Sequence, residues 1–143
     1  MDSTKEATGI LEDVKINVKL KLSALWAALM FLYIYVDLFD LYKLGEIEHI
    51  IAGNLGPFQV TQTSLLTAMI LMTIPALMVF LSVALPAKAN RLTNIIVGIL
   101  YIVVVIGNTI GEAWFFYIFG SVVEFVLLLL IVGYAWKWPK QEA

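Results

Sequence analysis

Four carboxylates stand inside or beside long apolar runs of this chain. Asp37 and Asp40 fall in Tyr33-Ile34-Tyr35-Val36-Asp37-Leu38-Phe39-Asp40-Leu41-Tyr42, the second half of a run that begins near Leu22. Glu112 follows a later apolar run, and Glu124 lies within the last one. An ionisable side chain is costly to hold inside a membrane span, so each is a functional-site hypothesis by default. Such carboxylates could take up a cation, a protonated amine or a small polar solute and exchange a proton with it. Tyr33, Gln62, Asn108, Tyr117 and Ser121 are the neutral groups placed to orient that solute.

Helical spacing gathers these residues into stripes. Trp26, Met30, Tyr33, Asp37 and Asp40 share one face of a first helix. Asn94, Gly98, Tyr101, Val105, Asn108 and Glu112 share a face of a third, and Tyr117, Ser121 and Glu124 a face of a fourth. Each pattern repeats at three or four residues. Lipid cannot satisfy polar groups, so these faces are expected to turn into a bundle. Counting about 1.5 Å per residue, Asp37 lies ~9 Å below Lys43 and Glu124 ~16 Å below Ala113. A direct pair of the two is therefore not expected. Asp37 is expected to hydrogen-bond to Tyr117, Ser121 or Asn108. Glu124 is expected to form the pocket floor and to be protonated, because an unpaired carboxylate in low dielectric neutralises.

The elements that would position them are transmembrane helices. Of 143 residues, 62% are hydrophobic and 14% charged, with mean hydropathy +0.93. A soluble domain is nearer 45–50% apolar and about 25% charged. The length suits a single domain, and a span needs about 20 apolar residues. Spans are expected over roughly residues 20–43, 60–85, 91–110 and 113–136, giving an all-α four-helix transmembrane bundle. Residues 1–19 read as a polar cytoplasmic tail without a cleavable signal, and the alternating segment Val14–Leu22 reads as an interfacial lead-in from that tail into the first span. The first long loop reads as a short surface helix, Glu46 to Ala52, stopped by Gly53, then a turn at Asn54-Leu55-Gly56-Pro57. Pro75 falls mid-span, where it removes a donor to Leu71 and favours a kink. Tyr134-Ala135-Trp136-Lys137-Trp138 reads as an interface anchor.

Charge orients the bundle. Lys5, Lys15, Lys19 and Lys21 precede the first span, Lys88 and Arg91 follow the second, and Lys137 and Lys140 follow the fourth. Lys43 alone falls on the opposite side. The positive-inside rule then puts both termini in the cytoplasm and the acidic pocket in the outer half. The inner half shows only scattered weakly polar groups such as Ser82 and Asn94.

Structural readings compete with functional ones. Asp40 is one turn from Lys43 and could serve only as an interfacial ion pair. Glu112 could cap the fourth helix. Asp37 and Glu124 could simply hydrogen-bond helices together. Gly107 and Gly111 form a small-xxx-small pair suited to close helix packing. The four tryptophans suit belts and packing, and His49 suits a solvated loop.

The run Lys21-Leu22-Ser23-Ala24-Leu25-Trp26, then Tyr33 to Asp37, resembles the opening of a small bacterial membrane-protein family of unknown function. Ile51 to Phe58, Ile74 to Leu81, Asn90-Arg91 and Tyr134 to Pro139 fit the same family. The resemblance spans nearly the whole chain. It implies four spans and a bacterial inner membrane, and it brings no activity.

Other function classes fit less well. A net charge of −2 gives no pull on nucleic acid. Without cysteine there is no disulfide or thiolate chemistry. One histidine cannot supply both axial ligands of a haem within one chain. No nucleophile–base motif marks catalytic residues, which points away from an enzyme, and no cofactor is called for. A carboxylate metal site has no diagnostic spacing, so a metal stays an open question. The expected partners are the bilayer and, for transport, a second copy, since four helices make a thin wall. The alternative to solute binding is an accessory membrane protein whose carboxylates only stabilise packing or assembly.

Overall fold

The structure is a computed structural model that describes residues 9–141. The expected N-terminal tail lies, over residues 1–8, outside the described residues, and residues 9–17 are irregular. Seven elements follow: α1 Val18–Asp40, α2 Glu46–Ile51, β1 Asn54–Leu55, β2 Phe58–Gln59, α3 Gln62–Ala84, α4 Ala87–Thr109 and α5 Phe115–Trp136. The four long helices are each long and apolar enough to cross a membrane. The two strands form one antiparallel hairpin, Asn54 opposite Gln59 and Leu55 opposite Phe58, around Gly56-Pro57.

The helix boundaries shift from the expected ones for local reasons. The alternating lead-in forms no strand. Asn17 instead caps α1, its Oδ1 accepting from the Lys19 N–H at 2.8 Å. Helix α4 starts at Ala87, four residues before Arg91, because Pro86 ends the extended linker and its carbonyl accepts from Asn90 N–H. Thr61 and Ser64 form a reciprocal capping box at the start of α3.

Helix α1 lies between α3 and α5, and α4 packs along α5. At one end the start of α1, the α3–α4 turn and the end of α5 meet. There the Lys19 ammonium donates to Leu85 O at 2.7 Å, and Arg91 donates to the carbonyls of Ala135 and Trp136. This is the terminal end. The opposite, loop end carries α2, the hairpin and the α4–α5 connection.

The core is a column of large side chains. Leu22, Trp26, Leu29 and Tyr33 of α1 meet Met78 of α3, Tyr101 of α4, and Leu128 and Ile131 of α5. The buried stripe of α1 is therefore rotated from the expected one: Leu22 and Leu29 are inside, Met30 is half-buried and Asp37 is exposed. Apolar residues on the outer faces, such as Phe31, Leu66, Phe80 and Phe119, are exposed as lipid-facing residues would be.

Close helix packing occurs at glycines other than the expected pair. A Cβ on Gly98 would lie 2.7 Å from Val132 Cγ2, and one on Gly120 would lie 2.6 Å from Val36 Cγ2. Gly98 thus lets α4 approach α5, and Gly120 lets α5 approach α1. Gly107 has nothing within 4 Å, and Gly111 serves a turn with φ +83°.

Helices α3 and α4 touch sparsely although a short turn joins them. The residues of α3 from Leu65 to Ile70 are all exposed, while Pro75, Met78 and Ser82 are buried. Helix α3 is therefore buried toward the terminal end and exposed toward the loop end.

Candidate functional site

Two polar layers and a clasp occupy the bundle. The deeper layer lies toward the terminal end and was poorly visible in the sequence. Asn94 Oδ1 accepts from Trp26 Nε1 at 2.7 Å and from Ser82 Oγ at 3.3 Å. Asn94 Nδ2 donates to the backbone carbonyl and Oδ1 of Asn90. Asn90 Nδ2 donates to Ser82 O at 2.7 Å and to Leu85 O at 3.3 Å. All four residues are fully buried. Both amides thus find partners for every donor, as burial demands. This corrects the expectation of scattered weak groups: the terminal half holds a satisfied network that ties α1, α3 and α4 together.

Tyr101 separates this layer from the next. Its ring packs edge-on to Trp26 at 6.3 Å and lies 6.5 Å from Tyr33. Its hydroxyl donates to Leu71 O. Leu71 is the residue whose carbonyl Pro75 leaves without its helical donor, so Tyr101 replaces the missing bond.

Beyond Tyr101 toward the loop end is a cavity of about 40 Å³. Tyr33, Asp37, Asn108, Tyr117, Ser121 and Glu124 line it, with Val36, Met72 and Val105 among the apolar walls. Six of the eight expected site residues therefore meet. Gln62 does not: it is exposed at the very start of α3. Glu112 does not either, since it belongs to the clasp described below.

Burial grades across the cavity. Tyr33, Ser121 and Glu124 are buried, Tyr117 is half-buried, and Asp37 and Asn108 are exposed at the rim. Counting ~1.5 Å per residue, Tyr33 and Glu124 lie ~10–14 Å inside their helix ends, and Asp37 only ~4.5 Å. The cavity thus has its floor at Glu124 and its rim toward the loop end. The Tyr33 hydroxyl and Glu124 Oε1 are buried with no hydrogen-bond partner among the described residues. The expected hydrogen bond from Asp37 to Tyr117, Ser121 or Asn108 is not made among the described residues. Asp37 lies at the rim because it is only three residues inside the end of α1, and the rotation of the α1 stripe leaves it exposed there.

The clasp closes the loop end. Lys43 Nζ lies 2.6 Å from Asp40 Oδ1 and 2.9 Å from Glu112 Oε2. Glu112 Oε1 accepts from the N–H groups of Ala113 and Trp114, both at 2.9 Å, and so caps the approach to α5. The rings of Trp114, Phe116 and Tyr117 surround the ammonium at 5.2–5.9 Å. Burial works against the Lys43 charge, but its hydrogen bonds to Asp40 and Glu112 outweigh this and raise its pKa. Burial likewise pushes Glu112 up, but the Trp114 N–H, the Lys43 ammonium and the Ala113 N–H together hold its carboxyl below the usual range. The ion-pair reading of Asp40 is thus seen, while Glu112 bonds to the Ala113 and Trp114 N–H groups ahead of α5 rather than to those of its first turn. His49 Nε2 lies 3.3 Å from Gly56 O within the exposed α2–hairpin unit.

Residues 10–143 match the model of a family of unknown function, DUF6326. The chain belongs to that family. Comparison of this DUF6326 chain with curated proteins and with solved structures gives no match. Family membership brings no chemistry, so the chemistry of this DUF6326 chain rests on the geometry above. Among its described residues no three His, Asp or Glu side chains come together around a metal position. Two carboxylates with hydroxyl and amide oxygens are hard donors, suited to a hard cation or a proton rather than a soft metal.

Proposed function

We propose that this multi-pass membrane protein reversibly binds one small cation, sodium-like or hydronium, in the cavity floored by Glu124. The observation that carries this reading is a pair of buried oxygens, Tyr33 Oη and Glu124 Oε1, on two residues that line one cavity, neither with a hydrogen-bond partner among the described residues. A buried polar atom costs about 1–3 kcal/mol when left unpaired. A cation would engage both, with Ser121 and Tyr117 alongside and Asp37 attracting it at the rim. The volume, about 40 Å³, exceeds the ~10–15 Å³ that one water or small ion needs and is far below the ~300–1,000 Å³ of pockets that take organic solutes. Below the floor, Tyr101, Trp26 and the Asn90–Asn94 network fill the bundle, which supports binding from one side over a through-pathway. We propose that both termini are cytoplasmic, on the strength of the basic residues gathered at the terminal end, and that the membrane is a bacterial inner membrane, as the resemblance of the sequence implies.

The test is equilibrium binding of radioactive sodium to the purified full chain in detergent. Saturable binding is expected in the wild type, its loss in Glu124→Gln, and a weakening of roughly tenfold in Tyr33→Phe, as one hydrogen-bonding oxygen is lost. Equal binding by wild type and Glu124→Gln would overturn the reading. A second reading, an accessory protein whose carboxylates hold an assembly together, is favoured by the exposure of Asp37, about one turn inside α1, and of Asn108 at the end of α4. A second copy laid over that rim would give both a partner. Loss of the assembled form in Asp37→Asn, with sodium binding absent throughout, would favour it.

A further inference from the structure

The terminal end holds a basic site that the cavity does not use. A groove of about 680 Å³ runs between the start of α4 and the end of α5, with Lys88, Arg91 and Lys140 along it. A second groove of about 520 Å³ adjoins it and shares Ala87, Trp138, Pro139 and Lys140, adding Lys15 and Lys19. No carboxylate among the described residues lines either groove. The cations divide into two sets. Lys19 and Arg91 are anchored, donating to Leu85 O and to the carbonyls of Ala135 and Trp136. Lys15, Lys88 and Lys140 are exposed and make no ion pair among the described residues. Three free ammonium groups therefore gather over anchored positive charge.

The walls are apolar. Leu92, Ile95 and Trp136 line the first groove. Leu92 and Ile95 lie on α4, one and two turns into a span, so this wall leads from the basic rim toward the hydrocarbon. Trp136 sits under the Arg91 guanidinium at 5.9 Å, and Trp138 is half-buried between the two grooves. A phosphate with an acyl chain matches both features: the phosphate among the lysines, the chain along Leu92 and Ile95. A free phosphate would use only the first.

We propose that these joined grooves bind the phosphate headgroup of an anionic phospholipid, with one acyl chain lying along α4. The test is native mass spectrometry of the purified full chain titrated with phosphatidylglycerol, with phosphatidylcholine of the same chains, and with glycerol 3-phosphate. Phosphatidylglycerol is expected to bind at least tenfold more tightly than the other two. A cation at a membrane surface is worth about fivefold, so Lys88→Gln with Lys140→Gln should lower phosphatidylglycerol affinity roughly thirtyfold. Both residues are exposed, so an unchanged melting temperature in phosphatidylcholine will show that the fold is kept. Lys137→Gln is the control, since Lys137 lies on another side of the α5 end, beside Leu130 and Tyr134. It should leave the preference intact. Equal affinity for the two lipids, an unaltered double variant, or an equal loss in Lys137→Gln would each overturn the site. Glycerol 3-phosphate binding as tightly as the lipid would overturn the lipid assignment in favour of a soluble phosphate.

Discussion

Replacing Tyr101 by Phe removes one oxygen from the interior of the bundle and little else. That oxygen is the donor to Leu71 O, the carbonyl that Pro75 deprives of its helical bond. The substitution leaves Leu71 O unpaired in a half-buried, apolar setting. An orphaned buried acceptor costs about 1–3 kcal/mol. Within membranes measured polar pairs run lower, averaging ~0.6 with a maximum near 1.7 kcal/mol. We therefore expect Tyr101→Phe to destabilise by roughly 1–1.5 kcal/mol. The specific consequence lies in the double variant. Pro75→Ala restores an N–H that reaches Leu71 O in the ordinary helical way, so the Tyr101 hydroxyl is no longer its sole donor. In that background Tyr101→Phe should cost less than half as much, a coupling of ~0.5–1 kcal/mol. The assay is reversible unfolding in mixed micelles, with all four members of the cycle read by near-ultraviolet circular dichroism. Additivity within ~0.3 kcal/mol would refute the idea that Tyr101 repairs the proline defect.

Three further outcomes are expected. Glu112 has a lowered pKa, so its stabilisation is present above the ordinary carboxylate range and lost as pH falls through the lowered value. Melting temperature of the wild type should therefore fall in acid more steeply than that of Glu112→Gln, which at neutral pH should be weaker by roughly 1–2 kcal/mol. Parallel acid limbs would show that the clasp is idle. Gly98→Val and Gly120→Val should each destabilise by ~1–3 kcal/mol by forcing helices apart, while Gly107→Val should be nearly neutral. Equal effects at all three, measured by the same unfolding assay, would contradict the packing. A cysteine at Glu48 should react with an impermeant thiol reagent in intact cells and one at Lys88 should not; the reverse pattern would invert the proposed orientation.

Much of this architecture was legible because lipid imposes one rule on every span. Four apolar runs gave four helices, and helical spacing brought Tyr33, Tyr117, Ser121 and Glu124 to a shared cavity wall. What escaped the sequence depended on rotation and tilt. A stripe can be drawn through Asp37 or through Leu22 and Leu29 with similar spacing, and only packing against α3 and α5 chose the latter. Gln62 fell out of the site because α3 is buried only from Pro75 toward the terminal end, while its first turns are exposed. The Asn90–Asn94 network was hidden by placing the helix start at Arg91, which left Asn90 in a turn. Two asparagines four residues apart just after a proline were the available signal. Gly98 and Gly120 carry no motif at all, since close approach depends on the partner residue, Val132 or Val36, and not on glycine spacing.

Infrared difference spectroscopy of the purified protein in bilayers tests most directly whether the cavity holds a cation. Adding sodium should change a carboxyl stretching band, because the ion engages Glu124, the buried acid lining the cavity. That change should vanish in Glu124→Gln and persist in Glu112→Gln, whose carboxyl is already held by Lys43. A sodium-induced carboxyl signal that survives Glu124→Gln, or none in the wild type, would contradict the proposed site.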